Sequence, residues 1–366
     1  MQKSLAYKKP FVFYRKPNSN IVCENVQLDN ELYFLDNYNK KGFIFAPFDN
    51  TEKTILFPLD KTTISKHVYL VNPLLSETVI NDVEYDNHKK NHIDLVNSGI
   101  EYIKNNKVPK IVLSRKETIH KKDVDIVAVF ENLLNKYEKA FVYVWFHPKV
   151  GLWLGATPET LLNTHNNNFK TMSLAGTQVF NKNTDVFWEE KEIQEHKFVT
   201  DYIVEELNKL NITCNVTLPT TIKAGNLLHI QVNISGRLKN TSAIDKVIKA
   251  LHPTPAICGL PKEKAKKFIL KNENYNREFY TGFLGELNFE LDKRQNKNNK
   301  RNIENHAYNF KQIQSALFVN LRCMQIKKNE ISIYVGGGIT KDSNAEKEYF
   351  ETVAKSKVMK SVIIPT

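Results

Sequence analysis

Two pairs of glutamates, each spaced three residues apart, are the first groups in the chain that could do chemistry together: Glu192 with Glu195 in E-I-Q-E-H, and Glu348 with Glu351 in E-Y-F-E-T. On a helix each pair projects from one face, so two such faces opposed would make an oxygen-rich pocket suited to Mg²⁺. The spacing leaves a plainer reading open, because helices rich in Glu and Lys are commonly solvated surfaces. Gly336-Gly337-Gly338 directly follows the apolar run Ile331 to Val335, and Thr340, Lys341 and Ser343 precede the segment holding the second pair. Consecutive glycines let backbone N–H groups approach an anion, and a helix N-terminus adds a favourable dipole, which suits a carboxylate or a phosphate. The pattern matches neither a Walker A loop nor a G-x-G-x-x-G fingerprint, so a tight turn accounts for it equally well.

Lys110 opens K-I-V-L-S-R, where strand alternation puts it on the face of Val112 and Ser114. A lysine on a largely apolar strand face is partly desolvated, which favours the neutral amine and a role as base; a lysine snorkelling from a strand end is the alternative. Glu159, in G-A-T-P-E after the apolar run Leu152 to Leu154, is either a surface acid or a proton donor. His252 lies in H-P-T-P-A, with two prolines fixing the backbone, and Arg322 lies in V-N-L-R-C, read here as an apolar strand. A buried arginine there needs an anionic partner, either a structural Asp or Glu or a carboxylate ligand held by its planar fork.

Positioning these residues requires a sheet with helices on it. Lys110 to Leu113, Val142 to Trp145, Leu152 to Leu154, Leu227 to Val232 and Ile331 to Val335 read as strands. Helical periodicity occupies 86–107, 123–138, 187–210, 261–271 and 344–359. The result is an α+β arrangement of sheet and covering helices. Residues 1–85 carry short β-like runs (Phe11 to Tyr14, Gly42 to Ala46, Thr54 to Pro58, His67 to Val71) without a chemical motif, and read as scaffold. Asp292 to Asn305 is nearly all Lys, Arg, Asn, Gln and Glu; having no aromatic residue for base stacking, it reads as an exposed loop rather than an RNA-binding arm.

With 366 residues, 41% of them hydrophobic, the chain has ample material for a core. Lys and Arg outnumber Asp and Glu by 52 to 40, and the net charge of +12 points to an anionic partner without choosing between nucleic acid, membrane and small molecule. Apolar runs such as Phe141 to Phe146 are far too short to span a bilayer, and the N-terminus does not read as a signal peptide. Cys23, Cys214, Cys258 and Cys323 are scattered, without zinc spacing or disulfide density, as suits reduced thiols in a cytoplasm.

Taken in order, K-I-V-L-S-R, G-A-T-P-E-T-L-L, L-A-G-T, K-E-I-Q-E-H, H-P-T-P-A-I-C-G, R-E-F-Y-T-G, L-F-V-N-L-R-C and the block Gly336 to Lys355 closely resemble the chorismate-utilising enzymes. That family includes isochorismate, salicylate, anthranilate and aminodeoxychorismate synthases. The resemblance runs from Lys110 to Lys355. It implies one chorismate-binding catalytic domain over 1–366, with two large sheets packed face to face, helices outside and the site in a cleft. Residues 1–85 would be its divergent part and 292–305 an insertion. It also implies that Glu195 and Glu351 hold Mg²⁺, with Glu192 and Glu348 as direct or water-mediated ligands. Thr177, His252, Thr254, Ala256, Tyr280, Arg322, the backbone at Gly337 and Gly338, and Lys355 would then line the substrate site.

Within the family the motifs resemble the isochorismate synthase branch. There the lysine matching Lys110 activates water to attack C2 of the ring, and the glutamate matching Glu159 protonates the departing C4 hydroxyl. Anthranilate synthases typically carry glutamine at the lysine position. Aminodeoxychorismate synthases tend to carry P-I-x-G-T where this chain has L-A-G-T at 174–177. Salicylate synthases share the lysine and glutamate and then eliminate pyruvate; A-I-C-G after H-P-T-P resembles the isochorismate branch more. The expectation is a cytoplasmic, monomeric enzyme acting on chorismate, with no nucleic acid or membrane partner, whose product would feed menaquinone or a catechol siderophore. A basic binding protein that kept the fold and lost catalysis is the non-enzymatic alternative.

Overall fold

The structure is a computed structural model that describes residues 1–71, 86–180, 186–225, 227–239, 243–291 and 312–363, so the loop expected at 292–305 lies outside the described residues. The N-terminal elements are α1 (Gln2–Ala6), β1 (Phe11–Arg15), β2 (Ile21–Gln27), β3 (Tyr33–Phe34), β4 (Gly42–Ala46), β5 (Ile55–Pro58) and β6 (Thr62–Val68). Then come α2 (Asp86–Asn106), β7 (Lys110–His120), α3 (Ile126–Lys136), β8 (Phe141–His147), β9 (Gly151–Thr157), β10 (Thr160–His165) and β11 (Asn168–Val179). Next are α4 (Glu190–Lys209), β12 (Cys214–Val216), β13 (Thr220–Ala224), β14 (Leu227–Arg237), α5 (Ile244–Leu251), β15 (Gly259–Leu260) and α6 (Lys262–Asn272). The chain continues through β16 (Phe283–Leu291), β17 (Gln312–Val319), β18 (Cys323–Lys327), β19 (Glu330–Ile339) and α7 (Ala345–Lys360).

These strands make two large sheets, one in the order β15-β7-β19-β18-β9-β8-β1-β2-β6 and one in the order β12-β14-β11-β10-β17-β16-β4-β5-β3, with β13 also paired to β14. Every pairing among the described residues is antiparallel. The expected α+β class holds. Residues 1–71 contribute strands to both sheets, which makes that scaffold integral to the fold.

Side-chain alternation explains why the sheets stack. In β8, Phe141, Tyr143 and Trp145 point into the space between the sheets, while Val142 and Val144 point outward to α3 and α7. The inter-sheet core is aromatic: Phe141 stacks on Phe318 with ring centroids 4.2 Å apart, and Phe57 stacks on Trp145 at 5.3 Å. The outer face of the second sheet is covered by α4 and α5, and α2 and α6 cover the β7 end of the first. Such helices–sheet–sheet–helices layering buries both faces of each central strand, so those strands read as continuous apolar runs. Among the described residues no helix is long and apolar enough to cross a membrane.

Phe45 is fully buried and packs against Tyr143, Trp145, Trp153 and Phe279. Replacing Phe45 with Ala should cost about 4 kcal/mol through lost transfer energy and the cavity left behind. Urea unfolding followed by fluorescence would show a lower midpoint, and an unchanged midpoint would contradict an aromatic inter-sheet core.

Candidate active site

A notch in the first sheet creates the site. Strand β18 begins only at Cys323, opposite Gly155 of β9 and Tyr334 of β19. Beyond that row β9 and β19 both continue with no strand among the described residues between them, leaving a slot two strand spacings, roughly 10 Å, across. Gly336, Gly337 and Gly338 pair with Ser114, Leu113 and Val112 of β7 on one side, and the edge facing the slot has no strand partner. The second sheet closes the slot with Leu174 to Thr177 of β11 and His229 of β14.

Glu159 and Arg322 stand at two crossings between the sheets. The chain leaves β9 through Pro158 and Glu159 to enter β10, and leaves β17 through Asn320 to Arg322 to enter β18. The crossings are laced together: Val319 N–H donates to the Glu159 carbonyl (3.0 Å), and Ala156 N–H donates to the Arg322 carbonyl (3.1 Å). Arg322 was expected within a strand; instead it has φ of +47°, the backbone kink that turns the chain from one sheet into the other.

The chemistry of these two groups follows from burial. The Glu159 side chain faces the cavity, and burial pushes its carboxyl up to about 8, against the pull of Lys110 and Arg322. It therefore carries a proton at neutral pH. Of the two partners open to Arg322, the structural Asp or Glu is not found among the described residues: its guanidinium donates to the Ala224 carbonyl (2.9 Å) and to His229 Nε2 (2.5 Å), both neutral acceptors. Burial lowers it to about 10, so it remains a cation at neutral pH. Because arginine only donates, His229 Nε2 accepts, and its Nδ1–H must then donate to the Gly176 carbonyl at 2.8 Å. Burial and Arg322 hold that imidazole down at about 3, so it stays neutral.

Lys110 is buried as expected, with a side chain 1% exposed, yet its ammonium is not left on an apolar face. It pairs with Glu195 Oε1 at 2.8 Å, the partner that a buried charge requires. Lys110 lies behind Glu195, against Gly338, where an added Cβ would meet both members of the pair. Burial alone would raise Glu195, but Lys110, helped by Lys355 and Lys191, brings it below the ordinary carboxylate value.

Helices α4 and α7 bring the acidic pairs to this point. The Asn344 side chain accepts from Glu346 and Lys347 N–H groups, capping α7 and fixing the turn that carries Glu348. Glu351 pairs with Lys355 (2.6 Å), whose ammonium also donates to the Gly336 carbonyl (2.9 Å). Glu348 pairs with Lys191 (2.9 Å) and accepts from Ser343 (2.7 Å), and its other oxygen lies with a Glu351 oxygen beside Gly337. Glu192 lines the cavity and keeps one buried oxygen without a hydrogen-bond partner. As they stand, no three Asp, Glu, His or Cys side chains among the described residues converge on a common point for a metal.

Of the residues singled out in the sequence, Glu159, Thr177, Glu192, Glu195, Ala256, Tyr280, Arg322, Gly337, Gly338, Glu351 and Lys355 line one cavity, with Lys110 and Glu348 directly behind it. His252 and Thr254 do not reach it. His252 is buried on the far side of that segment, bonded through Nε2 to the Thr281 carbonyl (3.1 Å) and packed on Phe283. His229 and Lys191 line the cavity and were not read from the sequence. A histidine inside the apolar run Leu227 to Val232 was the available signal for the first.

The proton on Glu159 makes a stability signature. Its folded value of about 8 lies above the ordinary 4.5, so the folded state holds a proton that the unfolded chain releases between those values. The stabilisation is complete below pH 4.5 and declines as pH rises to about 8. In Glu159→Gln this decline should vanish: the difference in Tm between variant and parent should grow across that window, and a pH-independent difference would contradict a buried, protonated Glu159.

Comparisons with known proteins bear on the family and the fold. Residues 57–293 and 310–361 match two family models, each described as chorismate binding enzyme. The chain is 27% identical to isochorismate synthase DhbC of Bacillus subtilis over 56% of this chain and 49% of that protein. It is 23% identical to anthranilate synthase component 1 of Thermococcus kodakarensis over 73% of this chain and 58% of that one. The match thus spans about half the length of these curated relatives. In fold it is similar to MenF, the menaquinone-specific isochorismate synthase of Escherichia coli (TM-score 0.75, 20% identity, 97% of this chain and 89% of that one). It is also similar to anthranilate synthase component I of Streptococcus pneumoniae (TM-score 0.65, 17% identity, 95% and 89%). With the matched models spanning most of its length, the chain belongs to the chorismate binding enzyme family.

Proposed function

We propose that the chain is an isochorismate synthase, converting chorismate to isochorismate. The observation that carries this reading is Glu159, a carboxylic acid kept protonated by burial and facing the same cavity as an arginine that has no carboxylate partner among the described residues. A protonated acid suits departure of a hydroxyl, and an uncompensated cation suits a substrate with two carboxylates.

In this reading Lys110, once released from Glu195 and with its ammonium proton given up to solvent, takes a proton from water as the oxygen bonds to C2. The ring double bonds shift, the C4–O bond breaks, and Glu159 gives its proton to the departing hydroxyl. One water enters and one leaves, the lysine gains a proton, the glutamic acid loses one, and no net redox change occurs. Arg322 and Lys355 hold the carboxylates beside the open glycine edge at Gly337 and Gly338. Thr177, Ala256 and Tyr280 form the walls, while His252 and Thr254 brace the segment carrying Ala256 from outside.

Glu195, Glu351 and Glu348, with Glu192 beside them, are an all-oxygen donor set of the kind Mg²⁺ prefers, and the unpartnered Glu192 oxygen is a donor in reserve. Mg²⁺ bound there would offset the charge of the ring carboxylate. We place the protein in the cytoplasm as a monomer. Its cysteines are unpaired, as suits a reducing compartment.

Purified protein given chorismate and Mg²⁺ in ¹⁸O-labelled water should yield isochorismate with one labelled oxygen at the C2 hydroxyl, read by chromatography and mass spectrometry. Salicylate with pyruvate, an aminated product formed with ammonia, or no product would each overturn the assignment. Lys110→Ala should abolish turnover and leave chorismate binding largely intact, and kcat/KM of the parent should fall above about pH 8 as Glu159 loses its proton. Full activity in the Lys110 variant would remove its role as base.

A further inference from the structure

We infer that Glu273 and Arg277, which do not touch the cavity, are positioning residues that hold three of its walls in register. The pair is buried, with each side chain 1% exposed, and it is bidentate: Arg277 Nε reaches Glu273 Oε2 at 2.8 Å and Nη2 reaches Oε1 at 2.6 Å. The other three guanidinium donors go to the Ile257 carbonyl (3.0 Å), the Val112 carbonyl (2.8 Å) and Thr281 Oγ1 (3.2 Å). All five donors of Arg277 are therefore engaged, whereas Arg322 has only neutral acceptors.

Each anchor is a piece of cavity wall. Val112 belongs to β7, two residues after Lys110; Ile257 follows Ala256; Thr281 follows Tyr280; and all five of Val112, Ala256, Ile257, Tyr280 and Thr281 face the cavity. Glu273 completes the tie to β7, accepting from both the N–H and the hydroxyl of Ser114 at 2.8 Å. These three segments are far apart in sequence and share no strand ladder beyond the short β15–β7 pairing. The fork geometry of arginine, not its charge alone, sets their spacing.

On this inference the walls would hold the substrate ring in ground state and transition state alike, while the Lys110 amine, Glu159 and the Arg322 guanidinium keep their own contacts. Loosening the walls removes uniform binding, which appears in KM rather than kcat. The inference rests on chorismate as substrate. Arg277→Lys keeps the charge opposite Glu273 and loses the fork. It should raise the chorismate KM about tenfold, with kcat within about threefold of the parent. The fall of kcat/KM above about pH 8 should be unmoved. Assays well below the Tm of the variant separate this effect from unfolding. Ser114→Ala, which removes one hydroxyl from the network, should shift KM in the same direction by about twofold to threefold, and it keeps the test available if Arg277→Lys does not fold. A lowered Tm with KM unchanged in both variants, or a loss confined to kcat, overturns the positioning role. A parent protein that neither binds nor turns over chorismate removes the substrate reading instead, and is a separate result.

Discussion

The structure depends on the places where the chain passes from one sheet to the other. A strand can hydrogen-bond into only one sheet, so each passage interrupts a ladder and frees backbone and side chains from the aromatic core. Glu159, Arg322, Ala256 and Tyr280 all lie on such passages. The late start of β18 is the same constraint seen from the sheet: because residues 320–322 are spent in crossing, the row that would fill the slot between β9 and β19 is missing. The cavity is what remains.

Electrostatics then decides what the cavity can hold. Its carboxylates Glu195, Glu348 and Glu351 each face a lysine, while Glu192 keeps a buried oxygen without a partner. Arg322 is not balanced. A guanidinium buried among neutral acceptors is costly to the fold unless something anionic recovers the loss, and Glu159 cannot do so while protonated. The cost is borne at a site where an anionic substrate would relieve it, a common pattern for perturbed groups in clefts. Conversely Arg277, only a few residues from the same cavity, is fully paired and serves the fold's geometry.

Much of this was legible in the chain because its strands are buried on both faces and its candidate-site motifs sit at strand ends. K-I-V-L-S-R gave β7 its start and Lys110 its face; alternation correctly put Val112 and Ser114 beside it, with Ile111 and Leu113 on the opposite face. The helices carrying the glutamate pairs followed from periodicity, with boundaries one to three residues adrift. What periodicity cannot carry is long-range pairing. The β-like runs at Phe11 and Gly42 gave no sign that they enter different sheets. V-N-L-R-C reads as one apolar strand although Arg322 breaks it, because the backbone kink leaves no mark on hydropathy. His229 hid among apolar neighbours, where a histidine is more often a satisfied core residue. H-P-T-P-A drew His252 and Thr254 into the expected site, but only Ala256 of that motif faces the cavity. The Lys110 amine was expected on an apolar face; Glu195, 85 residues away along the chain, meets it there.

On the proposed function Arg322 holds a substrate carboxylate, and calorimetric titration of chorismate into the parent and Arg322→Gln proteins tests that directly. A buried, charge-assisted carboxylate contact predicts that the variant binds about a hundredfold more weakly, with a near-parental Tm. Equal affinity in the two proteins would contradict the account.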